Sequence, residues 1–494
     1  MGVGVSRAIN TWTMKADASK EPRGRLKTLL GRDHREGSLL VSMLVLALPM
    51  IVGSVGVGAL YPIIDLSFLV QLGDQSMASV VIVNQTVWQL VIMGFMGLNF
   101  ATQSHVSQWI GAGQPRQAEE VAGQALLLAG LLGILIAIVG GLAPRSLLIL
   151  SGADVSFFPL ALPYLQWLFV LSAGFGGVFV FRAILTGAGD TTTPLLVSVV
   201  QVTVSLVSEW IFIFGHFGAP ELGVRGVALG MGLGQITGAG LGMFLLFRGT
   251  KRVRLRLADL RPRPSILLKL LRSAWPPAVQ MIGMVVSAFF YLRLAKPFGT
   301  EVQTAYTIGL RLGMIIPQFS FPLATACATL VGQALGNGDV PRAWRAMRTG
   351  ILVHGGLLWS FAAILFVFRF DILGLVTSDP EVIRIGSEYL AFSAAGYVIM
   401  GIGMVLMRVL QGAGDFMVPM AISLASTFLV NLPSAYALSR WTDLGPTGIW
   451  CGGLFGGLFT LIATGAWVAT GRWTRRGSVI RHESSSNDQA GRSG

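Results

Sequence analysis

Twelve stretches of 18 or more residues carry no Lys, Arg, Asp or Glu: 37–64, 75–115, 121–144, 155–181, 191–208, 226–247, 273–292, 312–338, 349–368, 389–407, 416–439 and 444–471. A membrane hydrocarbon core is crossed by about 20 mainly apolar residues in a helix. In lipid every backbone amide must be satisfied internally, which leaves helices and closed barrels as the spanning forms. Barrel strands would alternate over segments of about ten residues, and these runs do not. Each run therefore predicts one spanning helix. The 75–115 run is read as a single span because it ends in the loop sequence Gly111-Ala-Gly-Gln-Pro115 without an earlier break. Overall only 12% of residues are charged, about half the share of globular domains.

The 36 Lys and Arg sort unevenly among the predicted loops. Counting from the N-terminal side, 28 fall on that side and 7 opposite, with Arg311 left at the start of the eighth span. Positive charge concentrates on the cytoplasmic side, so both termini are expected in the cytoplasm of a multi-pass cell-membrane protein. The first 36 residues are polar and contain no apolar h-region, so no signal peptide is expected, and Asp17, Glu21, Asp33 and Glu36 argue against a transit peptide. The bases lie between apolar runs, which excludes a nucleic-acid-binding surface despite a net charge of +13.

The chain repeats itself. Gln108-Trp-Ile-Gly111-Ala-Gly113 recurs as Gln333-Ala-Leu-Gly336-Asn-Gly338, and Gly187-Ala-Gly189-Asp190 with Pro194 recurs as Gly412-Ala-Gly414-Asp415 with Pro419. Tyr164-Leu165 returns as Tyr389-Leu390, and Gly223-x-x-Gly226 as Gly445-x-x-Gly448. Six spans per repeat is an even number, so the halves share one orientation and are related by an axis along the membrane normal. The fold class is thus all-α integral membrane, with twelve transmembrane helices in two six-helix lobes around a central cavity. The expected divisions are an N-terminal cytoplasmic tail 1–38, an N-lobe 39–248, a basic linker 249–272, a C-lobe 273–471 and a disordered tail 472–494. The Gly-x-Gly-Asp-x-x-x-Pro element reads as a structural cap, Asp closing the start of the next helix and Pro fitting its first turn.

Two facing lobes that rock about a midplane site are the mechanical form of a secondary transporter. No phosphate-binding Gly-x-x-x-x-Gly-Lys-Ser/Thr loop occurs. The five His are scattered, and Cys327 and Cys451 stand alone in apolar runs, so neither metal nor cofactor is expected, nor an enzyme. Acids at membrane depth are costly and mark function by default. Asp65 in the first span and Glu209 in the fifth qualify, and their positions place them at one depth, where two neighbouring carboxyls would take and release a proton. The competing reading, both acids hydrated at the outer interface, stays open at this level. Pro49 marks a kink or hinge in the first span. Gln280, Tyr306, His105 and Arg311 are candidate cavity residues, and Trp88, Phe95, Met281, Phe289 and Tyr397 candidate apolar lining.

Taken in order, Leu-Pro49, Leu-Tyr61-x-x-x-Asp65, Gln108-x-x-Gly111-Ala-Gly113, Gly187-Ala-Gly189-Asp190-x-x-x-Pro194, Ile-Phe-Ile-Phe-Gly215, Gly309-Leu-Arg311 and Val-Gly332-Gln333-x-x-Gly336-x-Gly338-Asp339 resemble the multidrug and toxic compound extrusion family across about residues 39–471. The resemblance implies export of amphipathic, often cationic compounds in exchange for H+ or Na+, with small organic molecules and lipids as partners and a monomer as the working unit. In the branch similar to DNA-damage-inducible protein F, acids in the first and fifth helices bind the coupling cation. Asp65 and Glu209 stand at those positions, with Tyr61 and Ser205 beside them. The chain departs from that pattern in carrying Glu209 and Ser205 where Asp and Asn are usual, and Pro62 after the tyrosine. The seventh and tenth spans lack the acids of the Na+-coupled branch, which favours proton coupling. A lipid-linked oligosaccharide flippase of the same superfamily is the alternative; it would need a strongly cationic cavity, for which Arg311 is the one obvious candidate.

Overall fold

The computed structural model describes residues 37–150, 154–250, 252–313 and 315–476, and among them every regular element is helical. Ten helices are long and apolar enough to cross a membrane, and Val155–Val170 with Gly174–Ala188 adds a pair bent by 48°. The first expected span is also present, as Leu39–Val55 running through a π turn, Gly56–Leu60, into Tyr61–Gln71. The order is that expected. In the N-lobe, span 2 is Asp74–Gly111, span 3 Pro115–Leu142, span 4 the bent pair, span 5 Thr192–Phe214 and span 6 Val224–Arg248. In the C-lobe, span 7 is Pro264–Phe298, span 8 Thr300–Gly336, span 9 Val340–Val367, span 10 Pro380–Gly412, span 11 Met417–Trp441 and span 12 Pro446–Ala469.

Helix ends follow the repeated punctuation. Gly189 and Gly414 adopt left-handed backbone (φ 85° and 90°), which closes spans 4 and 10. Asp190 then accepts from the Thr193 N–H at 3.1 Å and Asp415 from the Val418 N–H at 3.4 Å, so this element is the cap that its sequence suggests.

Lipid tails are as apolar as Leu, so helices in a bilayer associate through close packing at small residues rather than through burial from water. Span 6 illustrates this against span 5. A Cβ at Gly226, Gly230 or Gly234 would lie 2.6, 2.5 or 2.0 Å from Phe212, Glu209 or Ser205 respectively. One glycine per turn thus lays the two helices backbone to backbone. The C-lobe repeats the device, Gly448, Gly452 and Gly456 of span 12 facing Leu438, Ala435 and Asn431 of span 11.

The first helix of each half leans on the other half. Met43, Leu46 and Ala47 of span 1 share one buried cluster with Leu323, Ala326 and Leu330 of span 8, while span 7 runs along span 2, Gly97 meeting Ala274 and Ala278. At one end the lobes are closed upon each other by reciprocal bonds between repeated residues. Gln108 Nε2 donates to the Gly412 carbonyl and Gln333 Nε2 to the Gly187 carbonyl, both at 3.1 Å. Ser104 Oγ donates to the same Gly412 carbonyl at 3.0 Å, and Gln103 Nε2 to Thr329 Oγ1 at 2.9 Å.

Three readings of the sequence change. Span 7 begins at Pro264, inside the stretch expected to be linker, and the remainder of that stretch is docked on span 3 rather than free. Arg116 holds buried Asp259 through both guanidinium nitrogens (2.5 and 3.0 Å), and Gln124 Nε2 donates to the Asp259 and Arg261 carbonyls at 2.7 Å. Arg182 and Arg408, counted as loop charges, lie inside spans 4 and 10, Arg408 at 4% exposure. Trp473, expected in the disordered tail, is fully buried against Trp344 with ring centroids 5.3 Å apart. The remaining expectations for the tails fall on residues 1–36 and 477–494, outside the described residues.

Candidate functional site

Three polar side chains of spans 1 and 5 gather inside the N-lobe. The π turn Gly56–Leu60 inserts an extra residue into span 1, and it sits where the span passes closely over span 8: a Cβ at Gly58 would lie 2.2 Å from Gln318 Oε1. Beyond it Tyr61 and Asp65 stand one turn apart on one face. On span 5 the glycine stripe of span 6 fixes Glu209, which is fully buried. Tyr61 Oη donates to Glu209 Oε1 at 2.6 Å, joining spans 1 and 5. Asp65 is half-buried and within electrostatic range of Glu209.

Each acid keeps one buried oxygen without a hydrogen-bond partner, Asp65 Oδ1 and Glu209 Oε2. Buried polar oxygens are nearly always satisfied, and here two carboxylate oxygens of one cluster are not. Between them they offer carboxylate oxygens and a tyrosine hydroxyl, the donor set for a proton or a small hard monovalent cation. Among the described residues no group of three or more His, Cys, Asp or Glu is placed to hold a metal ion. Ser205, one turn before Glu209, is buried beneath Gly234, so it borders this site through the span 5–6 contact.

Sequence reasoning missed two neighbours. Tyr164, fully buried, lies within electrostatic range of both acids and donates to Asn84 Oδ1 at 3.0 Å. Asn84 opens a second π turn, Asn84–Trp88. The signal for Tyr164 was present in the repeat that pairs Tyr164-Leu165 with Tyr389-Leu390; nothing in the sequence singled out Asn84.

The other candidates separate. Gln280, Tyr306, Met281 and Tyr397 do line a common cavity of about 620 Å³, enclosed mainly by the C-lobe. Arg311 does not; it is exposed and borders a different cavity with Gln303, Thr307 and Val376. Span 8 starts at Thr300, ahead of its charge-free run, so Arg311 lies inside the helix rather than at its start, and it borders a different cavity from Tyr306. His105 is buried between spans 2 and 7, its Nε2 3.0 Å from Ser273 Oγ. Trp88 and Phe95 belong to the N-lobe aromatic core around Phe175 rather than to a cavity, and Phe289 is exposed on the outer surface. Pro49 lies within Leu39–Val55, one turn before Gly53 packs on Leu195 of span 5.

The chain is similar to known proteins along most of its length. The MatE family model matches residues 49–211 and again 276–437. The probable multidrug resistance protein NorM of Thermotoga maritima is 26% identical over 410 residues, covering 83% of this chain and 88% of the relative. The multidrug resistance protein MdtK of Cronobacter sakazakii is 26% identical over 425 residues, 84% and 92% of the two chains. Among solved structures, MATE in the bent conformation superposes with a TM-score of 0.81 at 25% identity over 94% of this chain and 100% of that one. An outward-facing multidrug resistance MATE family transporter of the MOP superfamily gives a TM-score of 0.80 at 25% identity, over 91% and 98%. Because the family model fits once in each half, in register with the internal repeat, and the two fits together take in most of the sequence, the chain belongs to the MatE family.

Proposed function

We propose that the chain is a proton-coupled antiporter that exports amphipathic organic compounds across the cell membrane by alternating access, working as a monomer with both termini in the cytoplasm. The observation that carries this reading is the Tyr61–Glu209 bond between spans 1 and 5, flanked by the unpartnered oxygens of Asp65 and Glu209. Names given to its relatives, probable multidrug resistance protein NorM and MdtK, support the substrate class. The acids of spans 1 and 5 support placement beside the branch that resembles DNA-damage-inducible protein F.

In this reading a proton binds at the two acids when the N-lobe is open to the outside. Neutralising a carboxylate removes the charge that Tyr61 helps to stabilise, so protonation weakens the tie between spans 1 and 5. Span 1 then repacks at its two soft points, Pro49 and the π turn Gly56–Leu60. Because span 1 also packs on span 8, its movement reaches the contact between the lobes. The flippase alternative gains no support from the cavity, whose lining among the described residues carries a single charged residue, Arg408, where a diphosphate would call for several.

The test is transport in everted vesicles with H+ and Na+ gradients imposed separately. A pH gradient alone should drive uptake and a Na+ gradient alone should not, and the Asp65→Asn, Glu209→Gln double variant should lose substrate-driven proton movement. Normal exchange by that variant would refute the mechanism.

A further inference from the structure

Arg408 is the most unusual charge in the molecule. It lies within span 10 at 4% exposure, and its partners are all neutral. Nη1 donates to Gln411 Oε1 at 2.7 Å, Nη2 to Gln103 Oε1 at 2.9 Å and to Thr325 Oγ1 at 3.3 Å, and the guanidinium covers the Phe100 ring at 3.9 Å. Nε is buried without any partner. Among the described residues no carboxylate pairs with it. Burying an unpaired charge costs several kcal/mol in general, and an ionisable residue buried within a spanning helix marks a functional site by default.

A place for an opposite charge is beside it. Arg408 borders the cavity of about 620 Å³ in the C-lobe, a volume suited to a drug-sized molecule. Tyr306, Tyr389 and Trp450 form one aromatic cluster in its wall, Tyr306 stacked on Trp450 with centroids 5.6 Å apart, and Met281, Met404 and Met407 supply adaptable apolar surface. Arg408 is the one Asp, Glu, Lys, Arg or His among the described lining residues. Among the described lining residues no acid is present to hold a cation. Gln280 and Gln411, joined by a 3.1 Å hydrogen bond, add neutral polar groups next to the guanidinium.

We propose that the C-lobe cavity binds aromatic amphipaths carrying an acidic group, the rings packing on Tyr306, Tyr389 and Trp450 and the anion seated on Arg408. This narrows the substrate class of the efflux reading and rests on that reading only for the direction of transport, because binding at equilibrium needs neither a gradient nor a coupled ion. It also departs from the cationic substrates that the family resemblance implies. The guanidinium that would take the anion is the same one that bonds Gln103 of the N-lobe, so an acidic ligand draws on a contact that closes the lobes.

The experiment is equilibrium dialysis of the full chain in phosphatidylcholine nanodiscs, with empty discs subtracted, against two probes sharing one ring system: naphthalene-2-sulfonate and 2-naphthylmethylammonium. The native chain should hold the sulfonate about tenfold or more tighter than the ammonium, one charge-assisted bidentate contact being sufficient for that ratio. R408Q should abolish the preference and R408K should keep part of it. M404W, which fills the cavity and leaves Arg408 in place, should weaken sulfonate binding about tenfold, and it decides the matter even if R408Q does not fold. Equal binding of the two probes by the native chain, a preference that survives in R408Q, or sulfonate binding unaffected by M404W would each overturn the proposal. Failure of proton coupling in vesicles with intact sulfonate binding would refute the efflux mechanism alone.

Discussion

Glu209 concentrates what single residues decide in this protein. It is the fully buried acceptor of Tyr61 Oη, and an amide in its place still offers an oxygen to that hydroxyl. Glu209→Gln is therefore expected to fold with its unfolding midpoint within a few degrees of the native chain, while substrate-driven proton movement in liposomes falls at least about tenfold. Tyr61→Phe has the opposite profile. It removes a bond to an ionisable group and should cost about 2 kcal/mol, read as a lowered midpoint in detergent, with the acids still present to take a proton. The direction with pH follows from the carboxyls: raising external pH leaves them unprotonated on the outward side, so exchange by the native chain should slow, and the Asp65→Asn, Glu209→Gln double variant should lose that dependence. Part of this site was legible in the sequence, because an acid within an apolar run is rare enough to stand out on its own. Tyr164 and Asn84 were not, since Tyr and Asn occur throughout such spans and only the folded chain brings Tyr164 within range of Asp65 and Glu209 and bonds it to Asn84.

At the scale of elements, the glycine stripe of span 6 is what holds Glu209 at its depth. A Cβ at Gly230 would meet the backbone N and Cγ of Glu209 at 2.5 Å. Gly230→Ala must push spans 5 and 6 apart, an overpacking that should cost about 2 kcal/mol and reduce coupled transport, whereas Gly240→Ala, with open space around it, should do neither; thermal unfolding and transport of the two variants separate the cases. The number and order of spans could be read from charge-free runs because the bilayer excludes charge irrespective of tertiary contacts. Helix ends could not. Span 7 begins at Pro264 because the basic stretch before it is bound to span 3, where Asp259 receives Arg116 and the Arg256 N–H. An ion pair between residues far apart in sequence leaves no local pattern. Asp259→Ala should lower stability by about 2 kcal/mol, measured as the shift in unfolding midpoint.

For the molecule as a whole, the reciprocal bonds of Gln108 to Gly412 and Gln333 to Gly187 make closure a symmetric property of the repeat. The sequence revealed the repeated motif without its purpose, because the two copies act on each other and not within their own halves. Each bond should contribute about 1 kcal/mol, so the Gln108→Ala, Gln333→Ala double variant should shift the balance away from the closed end by roughly tenfold or more. A cysteine at Ala328, buried at 3% in this interface, reports it in a background where Cys327 and Cys451 are replaced. Its labelling by a maleimide should accelerate in the double variant and stay slow in the parent.

The exchange of leading helices between the lobes bears on how the chain is made. Span 1 finishes its packing on Leu323, Ala326 and Leu330, residues that a ribosome adds only after the whole N-lobe and the seventh span have been synthesised. The earliest helix to enter the bilayer is among the last to be seated, and it must wait there with Met43 and Leu46 facing lipid. An N-lobe translated by itself is thus expected to stay incompletely packed, and two separately translated halves should regain function only when produced in the same membrane, where the waiting helix finds its seat.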